Sequence, residues 1–293
     1  MTRAFYALPG NEALAEALAR RHDAPLLALD VHRFPDGESL VRVEPPPAEG
    51  EAVLVCSLHQ PDEKTVPLLM AAATLRELGA ARVGLVAPYL AYMRQDARFR
   101  PGEAISSRIF GQLLQERFDW LVTVDPHLHR IHSLAEAGMP QGKVVAAAPA
   151  LAAWLRENVE RPLLIGPDEE SAQWVERVGA LAAAPAVVAT KQRFGDRDVR
   201  VRLPDLSLWR QRQPVLVDDI ISSGHTLLET IAGMHAAGWA APVCMAVHGL
   251  FGGDALARLR AAGVPDVVTT NSVPGETARI DLSADLAAAL PSH

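Results

Sequence analysis

Residues 215–226 read VLVDDIISSGHT, and the order of residue types in this stretch decides the fold. An apolar run ends in two adjacent carboxylates, Asp218 and Asp219, and a turn rich in Ser and Gly then opens directly into a segment of helical pattern. An apolar run without polar alternation reads as a strand buried on both faces. A strand that passes through a short turn into a helix is the first half of a parallel β–α–β unit.

The same rhythm continues outward in both directions. Toward the C-terminus, a helix over 225–237 stops at Gly238, the strand PVCMAVHGLF follows, and a helix over 254–262 with Gly263 leads to VPDVVTTNSV. Toward the N-terminus, a helix over 150–158 precedes the strand PLLIGPD, a helix over 170–178 and the strand AAPAVVATK. The first half reads as a helix over 11–21 capped by Asn11, the runs LLALDVHRF and LVRVE, and AVLVCSL. A helix over 62–78 closed by Gly79 comes next, then ARVGLVAPYL, a helix over 106–117 and WLVTVDPHLH. Strands of this kind separated by helices imply parallel sheets covered on both faces, so an α/β chain of two similar doubly wound domains is expected. The boundary falls near 145–150, giving domains 1–146 and 147–293, with the tail from about 279 able to pack back on the first.

A chain of 293 residues with 49% apolar residues can bury two cores of this size. The net charge of −7 argues against a sequence-independent nucleic-acid binder, which needs a basic face to displace counterions. An anionic ligand must therefore meet a local site. Cys56 and Cys244 each lie in an apolar run and read as buried, reduced thiols, which suits the cytoplasm. The segment MTRAFYALPG has no signal-peptide pattern, and no apolar run is long enough to span a bilayer, so a soluble protein without a membrane partner is expected.

Ligands of open α/β sheets lie beyond the carboxyl ends of the strands. Backbone N–H groups of the turn at Gly224 and His225 suit a phosphate, and Ser222, Ser223 and Thr226 add hydroxyl donors. Asp218 and Asp219 would repel that phosphate; their partners are sugar hydroxyls or a divalent cation, unless the pair only solvates a loop. Arg94 has a planar fork suited to phosphate oxygens, with Gln95 and Asp96 beside it, although such a run is often an exposed polar turn. His127 follows an apolar strand with His129 and His132 nearby; a zinc site would lack Cys partners, and His127 reads as a contact to phosphate or to metal-bound water. Asp168 ends the strand LLIGPD, either as a helix cap or as a metal ligand. Lys191 and Arg193 open a charged stretch.

The 215–226 run resembles the phosphoribosyl-diphosphate loop shared by type I phosphoribosyltransferases and ribose-phosphate pyrophosphokinases. Four further segments are similar to pyrophosphokinase segments: RFPDGE at 33–38, PYLAYMRQDARFRPGEAI at 88–105, TVDPH at 123–127 and VTTNSV at 268–273. They follow in order along almost the whole chain. The resemblance implies two domains of the type I phosphoribosyltransferase kind with the active site between them. It implies transfer of the diphosphate of ATP to O1 of ribose 5-phosphate, giving 5-phosphoribosyl 1-diphosphate and AMP, with Mg2+ as cofactor. ATP is then expected near Arg94, Gln95, Asp96 and His127, with Phe34, Asp36 and Glu38 supplied by an adjacent subunit of a homo-oligomer built from dimers. Taken alone, Phe34 reads as a core aromatic rather than an adenine platform. Ribose 5-phosphate is expected on Asp218, Asp219, Ser222, Ser223, Gly224, His225 and Thr226, and magnesium on His127 and Asp168. Lys191 and Arg193 resemble the start of the catalytic loop, here Lys-Gln-Arg where many relatives carry three basic residues. His225 stands where the family commonly has Gly or Ala, and GPDEES at 166–171 differs from the usual run. A type I phosphoribosyltransferase would use 215–226 but leave RFPDGE and RQD idle. A non-catalytic homologue would have no chemical need of His127, Asp168, Lys191, Arg193, Asp218 and Asp219.

Overall fold

The apolar runs form parallel strands. In the computed structural model, which describes residues 2–128, 130–193 and 199–292, they divide between two units, Met1–Val145 with Leu282–His293, and Ala146–Asp281.

The first unit begins with β1 (Arg3–Ala7) and α1 (Glu12–Arg21), followed by β2 (Leu29–Arg33) and β3 (Ser39–Val43), which pair as an antiparallel hairpin. Then come β4 (Glu51–Val55), α2 (Pro61–Glu77), β5 (Arg82–Val86), α3 (Ser106–Gln115), β6 (Trp120–Val124) and β7 (Gly142–Val145). The sheet order is β1-β4-β5-β6-β7 and every pairing is parallel. Every residue of β1, β4 and β6 is buried, as strands covered on both faces require. Arg3 and Glu51 are the charged residues buried in these strands. The Glu51 carboxylate accepts from Arg3 Nε at 2.7 Å and from Trp120 Nε1 at 2.8 Å, so the buried charge is paired and its oxygens are occupied.

The second unit holds α4 (Ala148–Asn158), β8 (Pro162–Gly166), α5 (Ala172–Ala182) and β9 (Ala186–Val188), then a second antiparallel hairpin of β10 (Thr190–Arg193) and β11 (Val199–Arg202). It continues with β12 (Gln213–Ile221), α6 (His225–Ala236), β13 (Val243–Gly249), α7 (Ala255–Ala261), β14 (Val267–Thr270) and β15 (Ala278–Ile280). The order β15-β14-β13-β12-β8-β9 is again parallel throughout. The chain ends in α8 (Ser283–Ala289), which packs on α1 of the first unit. Arg21 Nε reaches Ser283 Oγ at 3.2 Å, and Arg3 donates to the Pro291 carbonyl at 2.8 Å.

Two local expectations change. Asn11 does not cap α1: it is buried, accepts from the Ser57 N–H at 2.7 Å and donates to the Leu8 carbonyl at 3.1 Å. Its amide serves the loop after β4, because that buried loop needs an internal partner more than a surface helix end does. The AAPAVVATK run is not one strand. Ala189 N–H donates to the Gly166 carbonyl at 2.9 Å as the last link to β8, and the polar Thr190–Arg193 then leaves the buried sheet as β10. Both cysteines are unpaired and buried. Burial pushes each thiol up to about 12, so neither is a thiolate at neutral pH. Among the described residues no helix is long and apolar enough to cross a membrane.

Candidate active site

β12 lies between β8 and β13, and Asp218 and Asp219 sit toward its carboxyl end. The Asp218 carboxylate accepts the Asp219 N–H at 2.9 Å. Burial, then the charge of Asp219, then that of Asp168 raise the Asp218 carboxyl well above the usual carboxylate range, against the pull of that N–H. Three acids thus meet near the carboxyl ends of β8 and β12. Asp168 also caps the turn that follows β8. Its Oδ1 accepts from the Ser171 N–H at 3.3 Å, while its carbonyl accepts from Ser171 Oγ at 2.6 Å. Gly166 permits this, since a Cβ there would stand 2.4 Å from Ser171 Oγ. Of the two readings left open for Asp168, capping is the one visible.

Beyond β12 the chain turns through Ser222, Ser223 and Gly224 into α6. Gly224 has φ +69°, a conformation that side-chain-bearing residues rarely adopt, and as the N-cap it offers no side chain to the helix, whose first N–H, at His225, donates to Ser223 Oγ at 3.5 Å. Ser222 and Thr226 are half-buried and Ser223 is exposed. His225 projects along the helix, with Nε2 at 3.1 Å from Glu229 Oε1, and so leaves the turn open. Lys191 and Arg193 lie on β10, opposite Val201 and Val199; their side chains fall outside the described residues.

In the first unit, the loops after β5 and β6 enclose a cavity of about 270 Å³, lined by Tyr89, Tyr92, Met93, Arg94, Gln95 and His127 among others. The Val124 N–H donates to the Pro88 carbonyl at 3.1 Å and holds the two loops together. The Tyr92 hydroxyl donates to Asp62 on α2, and Gln95 accepts from Ser106. Asp96 does not line the cavity. It is 5% exposed and accepts from Arg130 twice, from the N–H at 2.6 Å and from Nη1 at 3.2 Å. Burial opposes its charge, but the Arg130 backbone and guanidinium outweigh that and hold the carboxyl below its ordinary value. Its visible work is to tie the Arg94–Gln95 loop to the loop that carries His127.

Phe34, Asp36 and Glu38 occupy the tip of the β2–β3 hairpin. Phe34 N–H donates to the Glu38 carbonyl at 2.8 Å, and Asp36 accepts from the Glu38 N–H at 3.1 Å. The Phe34 ring is 39% exposed and meets His32 edge-on at 4.7 Å; none of the three residues lines the cavity. Among the described residues no three His, Cys, Asp or Glu side chains are disposed to hold a metal by themselves.

Residues 4–117 match the N-terminal domain of ribose phosphate pyrophosphokinase, and residues 140–269 match the phosphoribosyl transferase domain. The ribose-phosphate pyrophosphokinase of Methanopyrus kandleri is 34% identical over 280 residues, 94% of each chain. The chain belongs to the ribose-phosphate pyrophosphokinase family. The Sulfurisphaera tokodaii pyrophosphokinase is 32% identical over 92% of this chain and 93% of its own. In fold, the chain is similar to the crystal structure of phosphoribosylpyrophosphate synthetase from Mycobacterium smegmatis, with a TM-score of 0.82, 24% identity, and coverage of 98% of this chain and 97% of that one.

Two features of this pyrophosphokinase went unseen in its sequence. Arg130 is the partner of Asp96, 34 residues away, and no motif carries it. At the carboxyl end of β4, Lys64 Nζ donates to the Ser57 carbonyl at 2.9 Å and lies 3.0 Å from a ring nitrogen of His59. Burial and then the Lys64 charge push His59 down to about 4, so its ring is neutral at pH 7, and burial lowers Lys64 as well. The Leu58 N–H donates to the Tyr89 carbonyl at 2.9 Å and joins this pair to the cavity wall. The one signal for it was a lysine near the start of a helix, where the macrodipole disfavours a cation.

Proposed function

We propose that the chain transfers the diphosphate of ATP to O1 of ribose 5-phosphate, giving 5-phosphoribosyl 1-diphosphate and AMP, in the cytoplasm. The observation that carries this reading is the juxtaposition, at the end of β12 and the start of α6, of an acidic pair with a raised Asp218 carboxyl and a glycine turn at a helix N-terminus. Such a turn suits a phosphate monoester, and the acids suit hydroxyls or a cation; a sugar phosphate carries both kinds of group. The second unit, Ala146–Asp281, then forms the ribose 5-phosphate domain, with the 2- and 3-hydroxyls on Asp218 and Asp219 and the phosphate at Ser222, Ser223, Gly224, His225 and Thr226.

The nucleotide is assigned to the first domain, where Arg94, Gln95 and His127 line one cavity. Asp96 serves it at one remove, through Arg130. Phe34, Asp36 and Glu38 are assigned to the nucleotide of an adjacent subunit in a homo-oligomer built from dimers. The exposed Phe34 ring and its absence from the cavity of its own chain support that assignment.

Magnesium fits the acids present. Mg2+ takes one or two carboxylates and completes its shell with water and substrate phosphate, which agrees with hard oxygen donors at Asp168 and Asp218 and with the lack of a ready-made cage among the described residues. Asp168 would hold it in the second unit, and His127 in the first would contact nucleotide phosphate or a metal-bound water; when bound, the metal would supply charge neutralisation to phosphate oxygens. The chain's own residues bind and orient. Asp218 and Asp219 fix the ring, and the turn fixes the phosphate. O1 bonds to the β-phosphorus, the bond between that phosphorus and the α,β-bridging oxygen breaks, AMP departs with that oxygen, and the O1 proton is lost. Lys191 and Arg193 offset the charge on the transferring group, the main catalytic work in a reaction that asks little covalent chemistry of the protein.

Incubation with magnesium, ATP and ribose 5-phosphate, followed by chromatography, tests the proposal. Equimolar AMP and 5-phosphoribosyl 1-diphosphate without any added nucleobase is the expected result. Turnover that consumes 5-phosphoribosyl 1-diphosphate and requires a nucleobase would establish the transferase reading instead.

A further inference from the structure

Three successive carbonyls at the end of β12 are drawn to the same side. The Ile221 carbonyl accepts from the N–H groups of Leu250 at 2.9 Å and Phe251 at 3.1 Å, and the Ser222 carbonyl accepts from Gly252 N–H at 3.1 Å. The Ser223 carbonyl accepts from the guanidinium of Arg258, on α7, at 2.5 Å. In a trans peptide the N–H points opposite to the C=O of the same unit. Fixing these three carbonyls toward residues 250–258 therefore turns the N–H groups of Ser222, Ser223 and Gly224 the other way. Among the described residues none of the three donates to another backbone group. Successive amides facing one side form a concavity suited to an anion.

The three peptides are not anchored alike. Backbone donors hold the first two, whereas the third, between Ser223 and Gly224, is held by one side chain. That peptide precedes Gly224, whose φ of +69° marks the passage from strand to helix and whose missing Cβ leaves its backbone the least constrained of the three. Arg258 is itself oriented, with Nε 3.0 Å from Asp254 Oδ1 one turn earlier. A guanidinium suits the task because its planar fork can serve a carboxylate and a carbonyl together.

We infer that Arg258 is a positioning residue for the phosphate of ribose 5-phosphate, holding the Ser223–Gly224 peptide so that the Gly224 N–H faces the ligand. This rests on the proposed sugar-phosphate site and adds to it a residue that does not touch the substrate. Its side chain is 43% exposed, so its removal leaves no cavity in the core.

Calorimetric titration of the full chain with ribose 5-phosphate and, separately, with magnesium AMP tests the inference on wild type, Arg258→Ala and Arg258→Lys, alongside thermal unfolding. Arg258→Ala is expected to weaken ribose 5-phosphate about tenfold, the loss typical of one charge-assisted hydrogen bond, while the nucleotide and the unfolding temperature are unchanged. Arg258→Lys is expected to recover part of the loss. Equal ribose 5-phosphate affinity in wild type and Arg258→Ala overturns the role of Arg258 and leaves the sugar-phosphate site standing. An equal loss for both ligands with a lowered unfolding temperature also overturns it, as a general structural effect. Wild type that binds no ribose 5-phosphate overturns the sugar-phosphate site itself, and the inference with it.

Discussion

Asp96 and Asp218 are both withdrawn from solvent at the carboxyl-end side of a parallel sheet, one in each unit, yet their surroundings are opposite. Asp96 has Arg130 on both of its oxygens and its carboxyl is held below the ordinary value. Asp218 has two further acids as neighbours and its carboxyl is raised. A withdrawn charge that has found its partner within the chain is completing a fold, whereas one set among like charges is awaiting a partner from outside. The difference supports the proposed division of work, in which Asp96 ties two loops together and Asp218 meets the substrate, although both stand in segments that resemble family signatures.

The largest effect expected lies in the unit with the clustered acids. Lys191→Ala should lower kcat about a thousandfold, or about 4 kcal/mol of transition-state stabilisation, with nucleotide affinity little changed. Near-normal turnover would take Lys191 out of the mechanism. Asp219→Asn should cost about 3 kcal/mol in kcat/KM for ribose 5-phosphate and far less for ATP, since the lost contact belongs to one substrate. Equal losses would move Asp219 to a shared metal.

Stability sharpens the contrast between the two aspartates. Asp96→Asn should destabilise the protein by about 2 kcal/mol in chemical denaturation at pH 7, the scale of hydrogen bonds to a charged group. Because the folded carboxyl of Asp96 is depressed, its contribution is present above the unfolded pKa and is lost as pH falls through the folded value. The variant should therefore lose less stability than wild type on acidification. Asp218→Asn should do the reverse and raise the stability of the unliganded protein by about 1 kcal/mol at pH 7, while impairing ribose 5-phosphate binding. Its folded carboxyl is raised, so the ionised form is a burden that appears as pH rises through the folded value. The gain should vanish below about pH 3, where both states are protonated. A destabilised Asp218→Asn protein at pH 7 would erase the contrast on which the assignment rests.

What could be read from the sequence depended on how local the determinants were. The 215–226 turn is contiguous: strand, acids, glycine and helix follow one another, and the alternation of apolar runs with helices gave both parallel sheets. The first-unit site is assembled from two loops far apart in the sequence. RQD announced a polar run, but only the fold shows that Asp96 turns inward to Arg130 while Arg94 and Gln95 line the cavity. Asn11 carried a capping signal that a buried loop appropriated. AAPAVVATK looked continuous because its apolar part masked the point where the polar Thr190–Arg193 could no longer stay in a buried sheet. The anchoring of the Ser223 carbonyl by Arg258 spans 35 residues and leaves no pattern in the sequence.

A crystal structure of the chain with ribose 5-phosphate and magnesium tests the central claim most directly. The account predicts the phosphate against the amides of residues 222–224 and the ring hydroxyls facing Asp218 and Asp219. A turn left vacant under saturating ligand, or filled by its own side chains, with the sugar phosphate bound elsewhere, would contradict it.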